Sequence, residues 1–150
     1  MTIAPDQRLV LLGDRNGALE GVNPISGRSE LWTGALPGTV TALAVLSDNR
    51  TVLAASRTGV LRKIEWPGRR LLREEVPGRM ASISAMSLSP TSNRFATGDE
   101  QGTVQLWDVE SLREVVLLGT HPGRVGGVHF QPDGTLLSVD SKELRIWRGG

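Results

Sequence analysis

The chain has no cysteine, which excludes disulfides, thiolate-bound zinc and thiol catalysis and is compatible with a reducing compartment. It also lacks an excess of charge. Its 17 basic and 16 acidic side chains leave +1, so no global electrostatic case exists for nucleic acid or an acidic membrane. No apolar run approaches the roughly 20 residues of a membrane span, and the opening MTIAPDQR is not a signal peptide. The chain therefore reads as soluble and cytoplasmic, without membrane contact. Helical patterning is missing too. Ser111-Leu112-Arg113-Glu114 has the form of a capping box, but the Val115-Val116-Leu117-Leu118 that follows is better strand. What the chain does have is 18 glycines and 8 prolines, a composition for many tight turns.

The clearest pattern runs from Phe95 to Asp108, FATGDEQGTVQLWD. Two apolar runs flank a glycine-bounded turn, and the second alternates, Val104 and Leu106 one way, Thr103, Gln105 and Trp107 the other. Period-two patterning on both sides of a turn predicts a β-hairpin. The same design recurs at 10–23 (VLLGDRNGALEGVN) and 53–65 (LAASRTGVLRKIE), and in reduced form at 136–147 (LLSVDSKELRIW). The turn glycines Gly17, Gly59 and Gly102 are 42 and 43 residues apart, and Pro5, Ser47, Pro90 and Pro132 keep the same register. A hairpin repeated at that period predicts a propeller blade or another stacked β unit.

Four blade-like units follow, at about 1–36, 37–77, 78–120 and 121–150. The strands expected are 2–4, 9–12, 19–22 and 29–33; 40–45, 51–55, 60–65 and 71–75; 83–88, 94–97, 103–108 and 114–118; and 125–130, 136–139 and 144–148. The first unit starts inside its first strand and the last stops after its third. The expectation is the C-terminal part of a larger propeller, with a half-ring completed by a second copy as the alternative.

The stretch Thr97 to Asp108 (TGDEQGTVQLWD) closely resembles the signature of the WD-repeat β-propeller family. His121 to Gly134 (HPGRVGGVHFQPDG) is similar to the family's histidine-to-aspartate-glycine segment. The first two units match less well: Val22 and Ile64 stand where Trp107 and Trp147 stand, and no histidine precedes Val40. The resemblance implies an all-β array of four-stranded antiparallel meanders. It also implies a hydrogen-bonded tetrad in each blade, made of a histidine, a hydroxyl, a carboxylate and a tryptophan. Carried over by position, the fourth unit offers His121, Ser138, Asp140 and Trp147. The third offers Thr97 and Trp107, with Gln101 where the aspartate belongs and Arg79 near the histidine position.

Chemistry beyond that scaffold is sparse. His121 and His129 are the only histidines, and neither a metal site nor a cofactor is expected. Ser138, His121 and Asp140 superficially form a nucleophile triad, but the resemblance explains them as structure, and no G-x-S-x-G elbow is present. The acidic turns at 14–17 and 99–102 lack the remaining ligands of a calcium loop. Arg57, Arg62, Lys63, Arg69, Arg70, Arg73 and Arg79 form a basic cluster interrupted by Glu65, Glu74 and Glu75, which reads as a solvated strand edge.

The expected function is a non-catalytic scaffold for protein or peptide partners, with Arg15, Arg57, Arg79, Glu100 and Arg124 as candidate contact residues. Two alternatives are an enzyme with a channel site in a missing portion, and a nucleic-acid binder that uses the basic second unit.

Overall fold

The computed structural model describes residues 1–76 and 82–148. Arg79, one of the candidate contact residues, lies outside the described residues. Among those described there are fifteen strands and no helix, so no helix is long and apolar enough to cross a membrane. The strands form four antiparallel sheets, each a simple meander of consecutive neighbours. This is the architecture of propeller blades. Short turns make it possible, because antiparallel neighbours need only a hairpin between them. The residues divide into two compact units, Met1–Gly78 and Arg79–Gly150.

The first unit holds two sheets. One is β1 (Thr2–Ile3), β2 (Val10–Gly13), β3 (Leu19–Val22) and β4 (Ser29–Trp32). The other is β5 (Val40–Val45), β6 (Thr51–Ser56), β7 (Leu61–Glu65) and β8 (Arg70–Glu75). Their facing sides share a core in which Leu11, Leu19, Val52 and Ile64 are fully buried. Trp66 seals it, 4% exposed, with its indole against Gly21 of β3. Trp32 is half-buried and packs on the same core.

The second unit holds β9 (Ile83–Leu88), β10 (Arg94–Asp99), β11 (Thr103–Asp108) and β12 (Glu114–Thr120) in one sheet. The other contains β13 (Gly127–Phe130), β14 (Leu136–Val139) and β15 (Leu144–Trp147). The β10–β11 hairpin pairs Phe95 with Trp107, and their rings stack at 6.0 Å between centroids. Period-two alternation gives the directions of these side chains but not their burial. Val104, Gln105 and Trp107 are all at most 2% exposed.

The expected strands recur with end shifts of one or two residues. The most informative shift is at β13, which starts at Gly127 rather than Val125. Val125 donates its N–H to Asp99 O at 3.0 Å, in the preceding sheet, and so ties the two blades together. Val40 does the same to Asp14 O at 2.9 Å in the first unit.

Turn geometry follows from glycine. Gly102 has φ +93°, and a Cβ there would lie 2.3 Å from His121 O and 2.7 Å from Gly123 O. Only a residue without a side chain fits such a turn pressed against the next connection.

Candidate functional site

At the centre of the fourth blade, Trp147 Nε1 donates to Ser138 Oγ at 2.8 Å, and Ser138 Oγ lies 2.7 Å from His121 Nε2. The serine oxygen thus joins the indole to one ring nitrogen and leaves Nδ1 as the imidazole's other polar atom. That atom is buried without a hydrogen-bond partner, 3.4 Å from Glu143 Oε1 and 3.9 Å from Asp140 Oδ1. Asp140 is occupied elsewhere. Its Oδ1 accepts the N–H groups of Lys142 and Glu143 at 2.8 Å, and its Oδ2 that of Gly123 at 3.0 Å. These bonds, led by the one from Lys142, hold its carboxyl below the ordinary aspartate range even though burial pushes the other way. Ser138 is 0% and His121 2% exposed, so the serine oxygen is a sealed structural link rather than a nucleophile facing solvent.

The third blade has a shorter chain: Trp107 Nε1 donates to Thr97 Oγ1 at 2.8 Å. The carboxylate of its turn is Asp99, two residues before Gln101. It is 1% exposed, and its Oδ1 accepts the N–H groups of Gln101 and Thr103 at 2.9 Å. Asp14 caps the matching turn in the first blade, accepting from Asn16 at 2.7 Å and Ala18 at 2.9 Å. Sequence reasoning weighed the Asp14 and Asp99 turns only as calcium loops, although Asp14, Asp99 and Asp140 stand in one column of the repeat. Among the described residues no group of three or more acidic, His or Cys side chains converges to hold a metal ion.

In the second blade the whole network is replaced. Leu36, Ala54 and Ile64 occupy the positions of His121, Ser138 and Trp147, all at most 2% exposed and all in one apolar cluster. Exchanging every partner of a buried hydrogen-bond set for apolar groups is nearly neutral, whereas exchanging one strands the others.

The candidate contact residues Arg15, Arg57, Glu100 and Arg124 are exposed, each on a tight turn or at a blade-to-blade connection. In the first unit Thr39 Oγ1 donates to Arg15 O at 3.2 Å, and Thr39 O accepts from Arg57 N at 2.8 Å. The two arginine turns are thus tied through one residue. In the second unit the Glu100 turn is fixed by Glu100 N donating to Ser82 O at 3.0 Å and His121 N donating to Gly102 O at 2.8 Å. His129 is exposed on β13.

The basic cluster is not a bare cationic patch. Arg62 pairs with Glu74, and also donates to Ala35 O at 2.7 Å. Arg70 and Arg50 flank Glu65 at 2.7 and 3.7 Å. Arg69 donates to Leu31 O at 3.1 Å.

The family model "WD domain, G-beta repeat" matches residues 72–108 and 112–148, taking in both Trp-to-hydroxyl pairs just described. The chain belongs to the WD-repeat family. Its similarity to curated WD-repeat relatives extends into the first unit's half of the sequence. It is 32% identical over 117 residues to Transducin beta-like protein 3 of Bos taurus, covering 72% of this chain and 14% of that protein. Over 101 residues it is 31% identical to Apoptotic protease-activating factor 1 of Rattus norvegicus, covering 66% of this chain and 8% of that protein. Over 67 residues it is 37% identical to Ribosome assembly protein 4 of Chaetomium thermophilum, covering 44% of this chain and 13% of that protein. This WD-repeat chain therefore spans a small part of the length of the relatives it matches.

Proposed function

We propose that this chain is a non-catalytic WD-repeat scaffold for a protein or peptide partner. The proposed contact residues are Arg15 and Arg57 in the first unit, Glu100 and Arg124 in the second, and Arg79. The observation that carries the reading is that exposed charges sit on turns whose backbones are locked from beneath. Thr39 joins the Arg15 and Arg57 turns, and His121 anchors the Glu100 turn. Charges on rigid loops lose little entropy on binding, which is what a recognition surface needs. Arginine outnumbers glutamate at these positions, so the partner's contact face should carry carboxylates. Relatives named for ribosome assembly and for apoptotic protease activation fit a scaffold whose loops differ while its blades persist. The ion pairs of the second blade weigh against a nucleic-acid role for its arginines.

The test is charge reversal. A chain with Arg15→Glu, Arg57→Glu and Arg124→Glu should keep its melting temperature, since all three side chains are exposed. It should lose most of the proteins captured by the unaltered chain from lysate of its source, quantified side by side. An unchanged set of captured proteins would sink the proposed face.

A further inference from the structure

Blades pack in the same way in both units. In the first, Leu11 and Leu19 lie on one side of β1–β4 and share a buried cluster with Val52, Ala54 and Ile64 on the facing side of β5–β8. In the second, the same columns of the repeat are Ala96 and Val104, and they cluster with Leu136 and Trp147 of β13–β15. A blade therefore has two unlike sides. Its rear face, with the Leu11 and Leu19 columns, is covered by the next blade. Its front face, with the Ala54 and Ile64 columns, covers the blade before.

Two such faces stay open. Cross-strand pairing and two-residue spacing put Ile3, Val10, Leu12, Val22 and Leu31 on the front face of β1–β4. Leu12 and Val22 stand there in the columns of Ala54 and Ile64, yet Ile3, Leu12 and Leu31 are 54%, 37% and 55% exposed. The rear face of β13–β15 carries Leu137, Val139, Leu144 and Ile146. Leu137 and Leu144 stand in the columns of Leu11 and Leu19, but Val139, Leu144 and Ile146 are 38%, 58% and 53% exposed. A stacked repeat that ends in solvent needs a polar outer face, and both of these are apolar.

Each open face is one half of a blade contact, and the half that would complete it is the other open face. Their shapes compensate as well. In the closed contacts the rear face has Gly13 or Gly98, where a Cβ would lie 2.4 Å from Val40 or 2.2 Å from Val125 of the next blade. The rear face of β13–β15 has the bulkier Val139 in that column. On the front face of β1–β4, β1 has two residues against six in β5 and none in the place of Val40. A fuller side chain on one face thus meets a shorter strand on the other. The ionisable side chains in the paired rows are Glu20 on the front face and His129 on the rear face, so contact opposes no like charges. We propose that the front face of β1–β4 docks on the rear face of β13–β15 in a second copy of this chain. Because the joined surfaces are unlike, the contact closes into a ring or continues as an open chain. It uses none of the arginine and glutamate turns of the partner face and does not rest on them.

The test is sedimentation equilibrium of the 150-residue chain over a range of concentrations. The unaltered chain should form species of two or more copies that dissociate on dilution. Leu12→Glu on the front face and Leu144→Glu on the rear face, both at exposed positions, should keep the melting temperature. Each alone should raise the concentration for half-association by about tenfold or more. Mixed in equal amounts, the two variants should form a species of two chains, because each keeps the face that the other has lost. Leu31→Glu with Ile146→Glu repeats the exchange if either member of the first pair does not fold. A chain that stays single at every concentration, or association weakened by one variant and untouched by the other, would overturn the docking. So would a mixture no more associated than its components, or aggregates that persist unchanged in both variants.

Discussion

Leu36 and His121 hold the same place in the repeat, two periods apart. Leu36 donates its backbone N–H to Gly17 O at 2.9 Å, and His121 donates its own to Gly102 O at 2.8 Å. The backbone role is common to both. The side chains differ because the pocket beneath differs: Ala54 and Ile64 under the leucine, Ser138 and Trp147 under the histidine. One blade centre is held by packing and the other by a hydrogen-bonded chain.

That chain should behave as a unit. Ser138→Ala leaves both the Trp147 indole N–H and His121 Nε2 without a partner, at a cost of about 1–3 kcal/mol. Adding His121→Leu to that background removes one stranded group, so the two changes together should cost less than the sum of each alone. A coupling of about 0.5–3 kcal/mol is expected from a double-mutant cycle in urea. Strict additivity would show that the bonds act separately.

Acid should destabilise the second unit through its turn-capping aspartates. Backbone N–H groups, led by Lys142 for Asp140, Ser111 for Asp108 and Thr135 for Asp133, hold these carboxyls below the ordinary aspartate range. A group whose native pKa is depressed binds fewer protons folded than unfolded. Its contribution is complete above the unfolded value of about 3.9 and is lost as pH falls through the native value. Stability should therefore drop between roughly pH 5 and pH 2. Asp140→Asn should start lower at neutral pH and show a shallower decline, as followed by denaturation at each pH.

Gly102→Ala and Gly27→Ala separate two costs of substituting glycine. Both positions have positive φ, +93° and +74°, but a Cβ at Gly27 meets nothing within 4 Å, whereas one at Gly102 runs into two carbonyl oxygens. Gly27→Ala should cost about 1 kcal/mol from conformation alone. Gly102→Ala should cost clearly more, because the His121 connection must move. Comparable melting temperatures for the two variants would contradict the close approach.

Trp107 combines a ring stack on Phe95 with a hydrogen bond to Thr97. Trp107→Phe keeps most of the packing and should cost about 1–3 kcal/mol, chiefly for the stranded Thr97 hydroxyl and the smaller ring. Trp107→Ala should cost about 3–5 kcal/mol. If the two were equal, the ring would contribute nothing by its bulk.

The blades were legible because their signals are local. Gly17, Gly59 and Gly102 each occupy a turn of positive φ, and alternating residues on either side fix the strands. The start of β13 was misplaced because Val125 looks like strand while its N–H serves the neighbouring sheet. Asp99 was not read as the turn's cap because attention fell on Gln101, where the family places its carboxylate. Where Trp66 packs was not legible. Its seat is Gly21, 45 positions earlier in the sequence, and no spacing rule links a bend after one strand to a glycine in another sheet.

Thr39 deserves a different kind of credit from the arginines on either side of it. Its hydroxyl and its carbonyl set how far apart the Arg15 and Arg57 turns stand. A change to valine would leave both guanidinium groups in place chemically but free the distance between them. On the proposed partner face, discrimination among partners would then change with both arginines still in place, through the residue that sets their spacing.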